Sequence, residues 1–138
     1  SYGLAGVRVG YGMGAPELIG YLHKIRQPFN VNSIAQAGAT AALDDRLFMW
    51  RTRFLVWRGR KYLYRRLKRL GLEYLPSQAN FVLINMEQDA DEVFQRFLKQ
   101  GVIIRSMKAY GLTTWIRVTV GRRSQNARFY RILKRGRS

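Results

Sequence analysis

Apolar positions along this chain follow two periods, and the switches between them mark out its elements. Residues 80–86 (NFVLINM), 102–105 and 115–120 (WIRVTV) are short apolar or alternating runs bounded by turn residues, which predicts strands. VRVGYG at 7–12 reads as another short buried strand, with Gly10 and Gly12 permitting close backbone approach. Helices are predicted where apolar spacing lengthens. Pro16 stands at a first helical position with Glu17 at the positive end, and that helix runs to about Arg26. Pro28 then forces an extended or turned segment, QPFNVN. Ser33 is the expected cap of a small-residue helix, SIAQAGATAAL. Asp44 and Asp45 cap a long helix over about 46–70 that Gly71 ends. Asp89 caps a helix over about 90–100 that stops at Gly101, and Ser124 is the expected cap of a last helix reaching about Lys134.

From residue 46 onward the order is helix, strand, helix, strand, strand, helix. That order predicts an α/β sandwich with helices packed on one face of a small sheet. The first 43 residues differ, with a glycine-rich strand and two short helices, and read as the remnant of a larger unit. The expected division is therefore 1–43 and 44–138. No internal repeat and no low-complexity tract interrupts it.

The long helix carries an unusual pattern. At about 100° per residue, Phe48, Leu55, Tyr62, Leu63, Leu67 and Leu70 fall broadly on one side, which is expected to bury against the sheet. Leu47, Trp50, Phe54, Trp57 and Tyr64 fall nearly opposite. A second apolar stripe needs a cover. Either the N-terminal 43 residues cover it, or it is an interface, most simply with a second copy of the chain. Trp, Tyr and Arg dominate interface energetics, and burying one such aromatic is worth about 1.5–3 kcal/mol.

Charge sharpens the picture. Lys and Arg number 25 against 8 acids, a formal net charge of +17 over 138 residues. The excess is concentrated in 46–70 and 122–138, neither of which contains an acid. Such a field draws polyanions without selecting among them, and a nonspecific, salt-sensitive association is expected. The alternative is two solvated helix faces. No helix-turn-helix, zinc-finger or aromatic single-strand signature stands beside the charge. Cysteine is absent and His23 is the single histidine, so neither a disulfide framework nor a thiolate zinc site can form. No apolar run reaches about 18 residues, so no membrane span is expected, and with no signal-like opening a cytoplasmic location is the default.

Five separated segments carry a resemblance. SYGLAGVRVGYG, RQPFNVNSIAQAGATAALDD, PSQANFVLINM, GVIIRSMKAYGL and WIRVTVG, the last followed by a helix containing an asparagine, occur in this order across essentially the whole chain. Together they resemble the C-terminal portion of histidinol-phosphate aminotransferases, pyridoxal-phosphate (PLP) enzymes of fold type I. The resemblance implies that 1–43 is the tail of the large PLP-binding domain and 44–138 the small domain. It implies amino-group transfer in histidine biosynthesis for the parent enzyme. By motif position Arg8 matches the cofactor-phosphate arginine and Arg117 the arginine that grips the substrate carboxylate. A guanidinium suits both because its planar fork pairs two oxygens and stays charged. Asn80 and Tyr110 lie in matching motifs as further substrate-binding candidates, with capping and packing as their other reading.

One departure bears on activity. The lysine to which the family tethers its cofactor would precede Ser1, and Lys24, Lys61, Lys68, Lys99, Lys108 and Lys134 do not match its position. No catalytic residue is therefore assigned, and the chain alone is expected to bind no PLP and to be inactive. A rival reading makes it a repurposed or engineered basic scaffold that self-assembles or binds a protein through the aromatic side of helix 46–70.

Overall fold

The computed structural model describes residues 2–136 and divides into two units, Ser1–Thr52 and Arg53–Ser138. The boundary lies inside the long helix, nine residues beyond the end of the 1–43 segment.

The first unit is helical. A 3-10 turn, Leu4–Val7, precedes α1 (Pro16–Ile25), α2 (Ser33–Asp44) and the opening of α3 (Arg46–Arg69). The strand expected at 7–12 does not form. Val7 closes the 3-10 turn, Arg8 takes a left-handed φ of 61°, and the backbone runs on irregularly to α1. A strand needs a neighbour for its ladder bonds, and no described residue of this unit supplies one. Pro16 does stand at the start of α1. The cap of α2 is Asn32, not Ser33: its Oδ1 accepts the Ala35 N–H at 2.8 Å. Asp45 caps α3 as expected, accepting the Phe48 N–H at 2.8 Å. Ala35 alone is fully buried among the described residues of this unit.

The second unit holds the core. Its sheet comprises β1 (Tyr74–Leu75), β2 (Phe81–Asn85), β3 (Arg105–Ser106) and β4 (Trp115–Thr119), all antiparallel in the order β1-β2-β4-β3. The two-residue β1 has no counterpart in the apolar pattern, and the strand expected at 102–105 shrinks to Arg105–Ser106. The two long strands alternate. Val82, Ile84, Ile116 and Val118 are buried, and they pack with Leu63 and Leu67 of α3, with Val93 and Phe97 of α4 (Ala90–Lys99), and with Phe129, Ile132 and Leu133 of α5 (Arg123–Arg135). The buried strand residues share one face, so the helices cover that face, as the α/β sandwich reading requires. The first turn of α5 is closed by Gln125, whose Oε1 accepts the Arg122 N–H at 2.8 Å, in place of a Ser124 cap.

The expected buried face of α3 holds over Tyr62–Leu70 but does not extend to Leu55 and Phe48. Gly59, Leu63 and Leu67 are buried and Tyr62 and Leu70 are half-buried, whereas Leu55 and Phe48 remain 38% and 42% exposed. Gly59 adds a contact to that face. A Cβ placed there would lie 2.3 Å from Val120 Cγ1 and 3.0 Å from Asn126 Nδ2, so only a residue without a side chain permits this approach. Asn126, the single buried polar side chain described, completes the contact. Its Oδ1 accepts the Gly121 N–H at 2.9 Å and its Nδ2 donates to the Gly121 carbonyl at 2.8 Å.

Two substitutions test this junction. Gly59→Ala is expected to destabilise the chain by about 1–3 kcal/mol through overpacking, despite the better helix propensity of Ala. Asn126→Leu is expected to cost about 1–3 kcal/mol, because it strands the backbone groups of Gly121. Urea unfolding followed by far-UV circular dichroism measures both, and an unchanged or raised midpoint for Gly59→Ala would show that α3 does not depend on the close approach.

Candidate anion-binding face

Alternation leaves the other side of the sheet to Phe81, Leu83 and Asn85 on β2 and to Trp115, Arg117 and Thr119 on β4. Register fixes their neighbours. Leu75, Leu83, Arg117 and Arg105 form one row across the four strands. Arg105 and Arg117 are thus direct cross-strand partners, a placement that brings Cβ atoms within about 5.5 Å and disfavours like charges. Neither forms an ion pair with a carboxylate among the described residues. Aromatic rings support both instead. The Arg117 guanidinium lies 5.2 Å from the Phe81 ring centroid. Arg105 lies 5.8 Å from the Tyr110 centroid, and its Nη2 donates to the Tyr110 hydroxyl at 3.2 Å.

Tyr110 sits on a second 3-10 turn, Lys108–Tyr110, held from the side by an ion pair. Lys108 Nζ lies 2.6 Å from Asp89 Oδ2 and 3.5 Å from Asp91 Oδ2. Asp89 also caps α4, accepting the Asp91 and Glu92 N–H groups at 2.9 and 3.3 Å. The hydrogen bond from Lys108, followed by those from the α4 backbone, holds the Asp89 carboxyl below its ordinary value of 3.8. The same bond raises Lys108 above its ordinary 10.5.

The sequence-predicted residues distribute unevenly. Arg117 and Tyr110 share the sheet face, and Arg105 links them. Asn80 precedes β2 with its side chain exposed, while its carbonyl accepts the Val120 N–H at 2.8 Å. Its loop is tied to α3 by Arg60, which donates to the Ser77 and Ala79 carbonyls, and by Tyr64, whose hydroxyl accepts the Ser77 N–H at 2.8 Å. Arg8 belongs to the other unit, exposed, with its Nη1 donating to the Ala5 carbonyl at 3.0 Å. Arg105 was not singled out by the sequence. It stands in GVIIRSMKAYGL, but only the ladder register shows that it faces Arg117. Of the stripe residues, Leu47 and Trp50 are exposed in the first unit and Phe54 and Trp57 in the second. Tyr64 is half-buried and stacks on Tyr74 at 4.7 Å. Among the described residues no cluster of His, Cys, Asp and Glu could hold a metal ion, and no helix is long and apolar enough to cross a membrane.

Comparison with known proteins supplies the lineage. The family model described as aminotransferase class I and II matches residues 1–133. The chain belongs to the aminotransferase class I and II family. Among its relatives, histidinol-phosphate aminotransferase of Moorella thermoacetica is 46% identical over 96% of this chain and 34% of its own length. That of Desulfotalea psychrophila is 50% identical over 96% of this chain and 35% of its own length. The crystal structure of histidinol-phosphate aminotransferase from Sinorhizobium meliloti in complex with pyridoxal-5'-phosphate matches with a TM-score of 0.83 and 27% identity, over 97% of this chain and 39% of that one. The chain thus spans about a third of the length of the curated aminotransferases it matches.

The Asp89–Lys108 pair makes a pH prediction. A carboxyl held below its ordinary value contributes stability that is present above 3.8 and is lost as pH falls through the lowered value. The raised Lys108 contributes below 10.5 and loses its contribution as pH rises through its own raised value. The stability difference between the parent chain and Asp89→Asn should therefore be constant near neutrality and shrink in acid. Chemical denaturation across pH reads it, and a difference that grows on acidification would contradict the assignment.

Proposed function

We propose that this chain is the C-terminal portion of a PLP-dependent aminotransferase of the histidinol-phosphate kind, and that it supplies that enzyme's anion-gripping face. The observation that carries this reading is the cross-strand pairing of Arg105 with Arg117 without a neighbouring carboxylate. Two guanidiniums placed side by side, at the cost of their repulsion, suit a ligand with an anionic group such as a carboxylate or phosphate. Arg117 grips that group, Arg105 adds a second fork, and Tyr110 orients Arg105 through its hydroxyl. Asn80 borders this face at the start of β2.

PLP would reach this chain through its phosphate. Arg8 fits that part of the cofactor: a guanidinium offers five donors, and its recorded bond to Ala5 uses one of them. When bound, PLP supplies an electron sink for amino-group transfer. The six lysines, Lys24, Lys61, Lys68, Lys99, Lys108 and Lys134, stand outside these assigned residues. The residues assigned here bind and orient.

The test has two arms. Titration of the chain with inorganic phosphate or 2-oxoglutarate, followed by NMR of the arginine Nε–H groups, should shift Arg105 and Arg117 first. Arg117→Gln should weaken that binding roughly tenfold or more. Borohydride reduction after incubation with PLP, followed by peptide mapping, should find no preferred lysine. Shifts confined to other arginines, or one of this chain's lysines trapped in preference to the rest, would overturn the reading.

A second reading rests on the aromatic side of α3. Trp50 is 60% exposed in the first unit and Trp57 is 46% exposed in the second. Such surface favours a protein contact, and we propose self-association as its simplest form. The double variant Trp50→Ala/Trp57→Ala should then lower the mass measured by light scattering while the circular dichroism spectrum is kept. Equal masses for parent and variant would remove this reading.

A further inference from the structure

A cleft of about 480 Å³ lies between α3 and α5 in the second unit, lined by Tyr62, Ala127, Tyr130, Arg131, Lys134 and Arg135. A second depression beside it shares Tyr62 and is lined by Arg65, Arg66 and Arg69. No acid lines either. The helices pack on the core side of the sheet, so this cleft and the Arg105–Arg117 row occupy opposite faces of the same layer.

The two depressions have a similar build. Arg65 and Arg69, in the second, stand one helical turn apart on α3, as do Arg131 and Arg135, in the first, on α5, a repeat of about 6 Å along each helix. Arg66, also in the second, is held differently. Its guanidinium lies 5.2 Å from the Tyr62 centroid and 4.9 Å from the Tyr130 centroid, so it fastens the helices together and covers one face of each ring.

We propose that these two adjoining depressions together bind the phosphate backbone of single-stranded nucleic acid. Rows of cations with a common repeat suit a polymer of phosphates better than one small anion. A concave site suits a single strand better than the convex, stiff surface of a duplex. Arg66 covers one face of each tyrosine and leaves at most the other to touch a base, so binding is set mainly by phosphate charge and is indifferent to sequence.

The experiment is fluorescence anisotropy with a labelled mixed-sequence single-stranded DNA of about 20 nucleotides, across a salt series. The variant Arg65→Gln/Arg69→Gln/Arg131→Gln/Arg135→Gln leaves Arg66 and its rings intact. It should bind roughly tenfold or more weakly, with a shallower salt slope. The control Lys24→Gln/Arg26→Gln/Arg46→Gln/Arg51→Gln removes the same formal charge from the other unit and should change affinity little. Equal losses from the two variants would mean attraction by overall charge and would overturn the site. So would a duplex of the same length binding as tightly as the strand. Photo-crosslinking of the unmutated chain to a bromouridine-substituted strand gives a readout independent of variant folding. Crosslinks are expected at Tyr62 or Tyr130, and crosslinks confined to Trp50 or Trp57 would refute the placement.

Discussion

The β2–β4 ladder governs everything that the second unit does. A strand's side chains alternate, so one register decides both the core and the exposed chemistry. With Val82 opposite Val118 and Ile84 opposite Ile116, the buried layer is fixed. The same register sets Leu83 opposite Arg117, and β3 then sets Arg105 on the far side of Arg117. A slip by one residue would carry Arg117 into the core beside Phe97, where an unpaired guanidinium is prohibitively costly. The hydrophobic face thereby enforces the arginine face. Residues that make no contact with an anion still determine where an anion could bind.

Close approach at one helix position reinforces this. Gly59 lets α3 press on Val120 just beyond β4, and Asn126 ties the following turn to α5 by pairing both backbone groups of Gly121. The WIRVTVG segment is therefore pinned at both ends: by ladder bonds through Arg117 and by an amide pair at its final glycine. A site residue on a strand so constrained keeps its angle without help from its own side-chain partners.

What the sequence made legible follows from how local each signal is. The helix starts at Pro16, Asp45 and Asp89 and the stops at Gly71 and Gly101 were readable because caps and left-handed glycines act within one turn. The α/β class and the two main strands were readable from apolar runs. The strand at 7–12 was not a strand, because ladder pairing depends on a neighbour that local pattern cannot reveal. The buried face of α3 was legible over Tyr62–Leu70, but its closest contact was not, because Gly59, which makes it, carries no apolar signal at all. Arg117 and Tyr110 came from motif position, whereas Arg105 needed register. The identity of the family was legible in five ordered segments, a signal that rests on ancestry and not on local physics.

The charge remains the most demanding feature to accommodate. With 25 bases and 8 acids, ion pairing cannot neutralise the surface. The described structure places many cations on rings: Arg58 on Phe54, Lys61 on Trp57 at 3.9 Å, Arg66 on Tyr62 and Tyr130, and both sheet arginines on their own aromatics. Each such contact is worth about 0.5–1 kcal/mol at an exposed site. That attraction orients a guanidinium but leaves its full charge in place. The consequence is a set of ring-bound cations held in fixed positions with their charge intact. Self-repulsion of that kind opposes the folded state, and a polyanion that binds the folded chain relieves it by linkage, stabilising the fold by an amount that grows with the logarithm of its concentration once the site is filled. Packing against aromatics therefore holds the adjacent Arg105 and Arg117 as aligned donors, and this alignment separates a binding surface from a merely basic one.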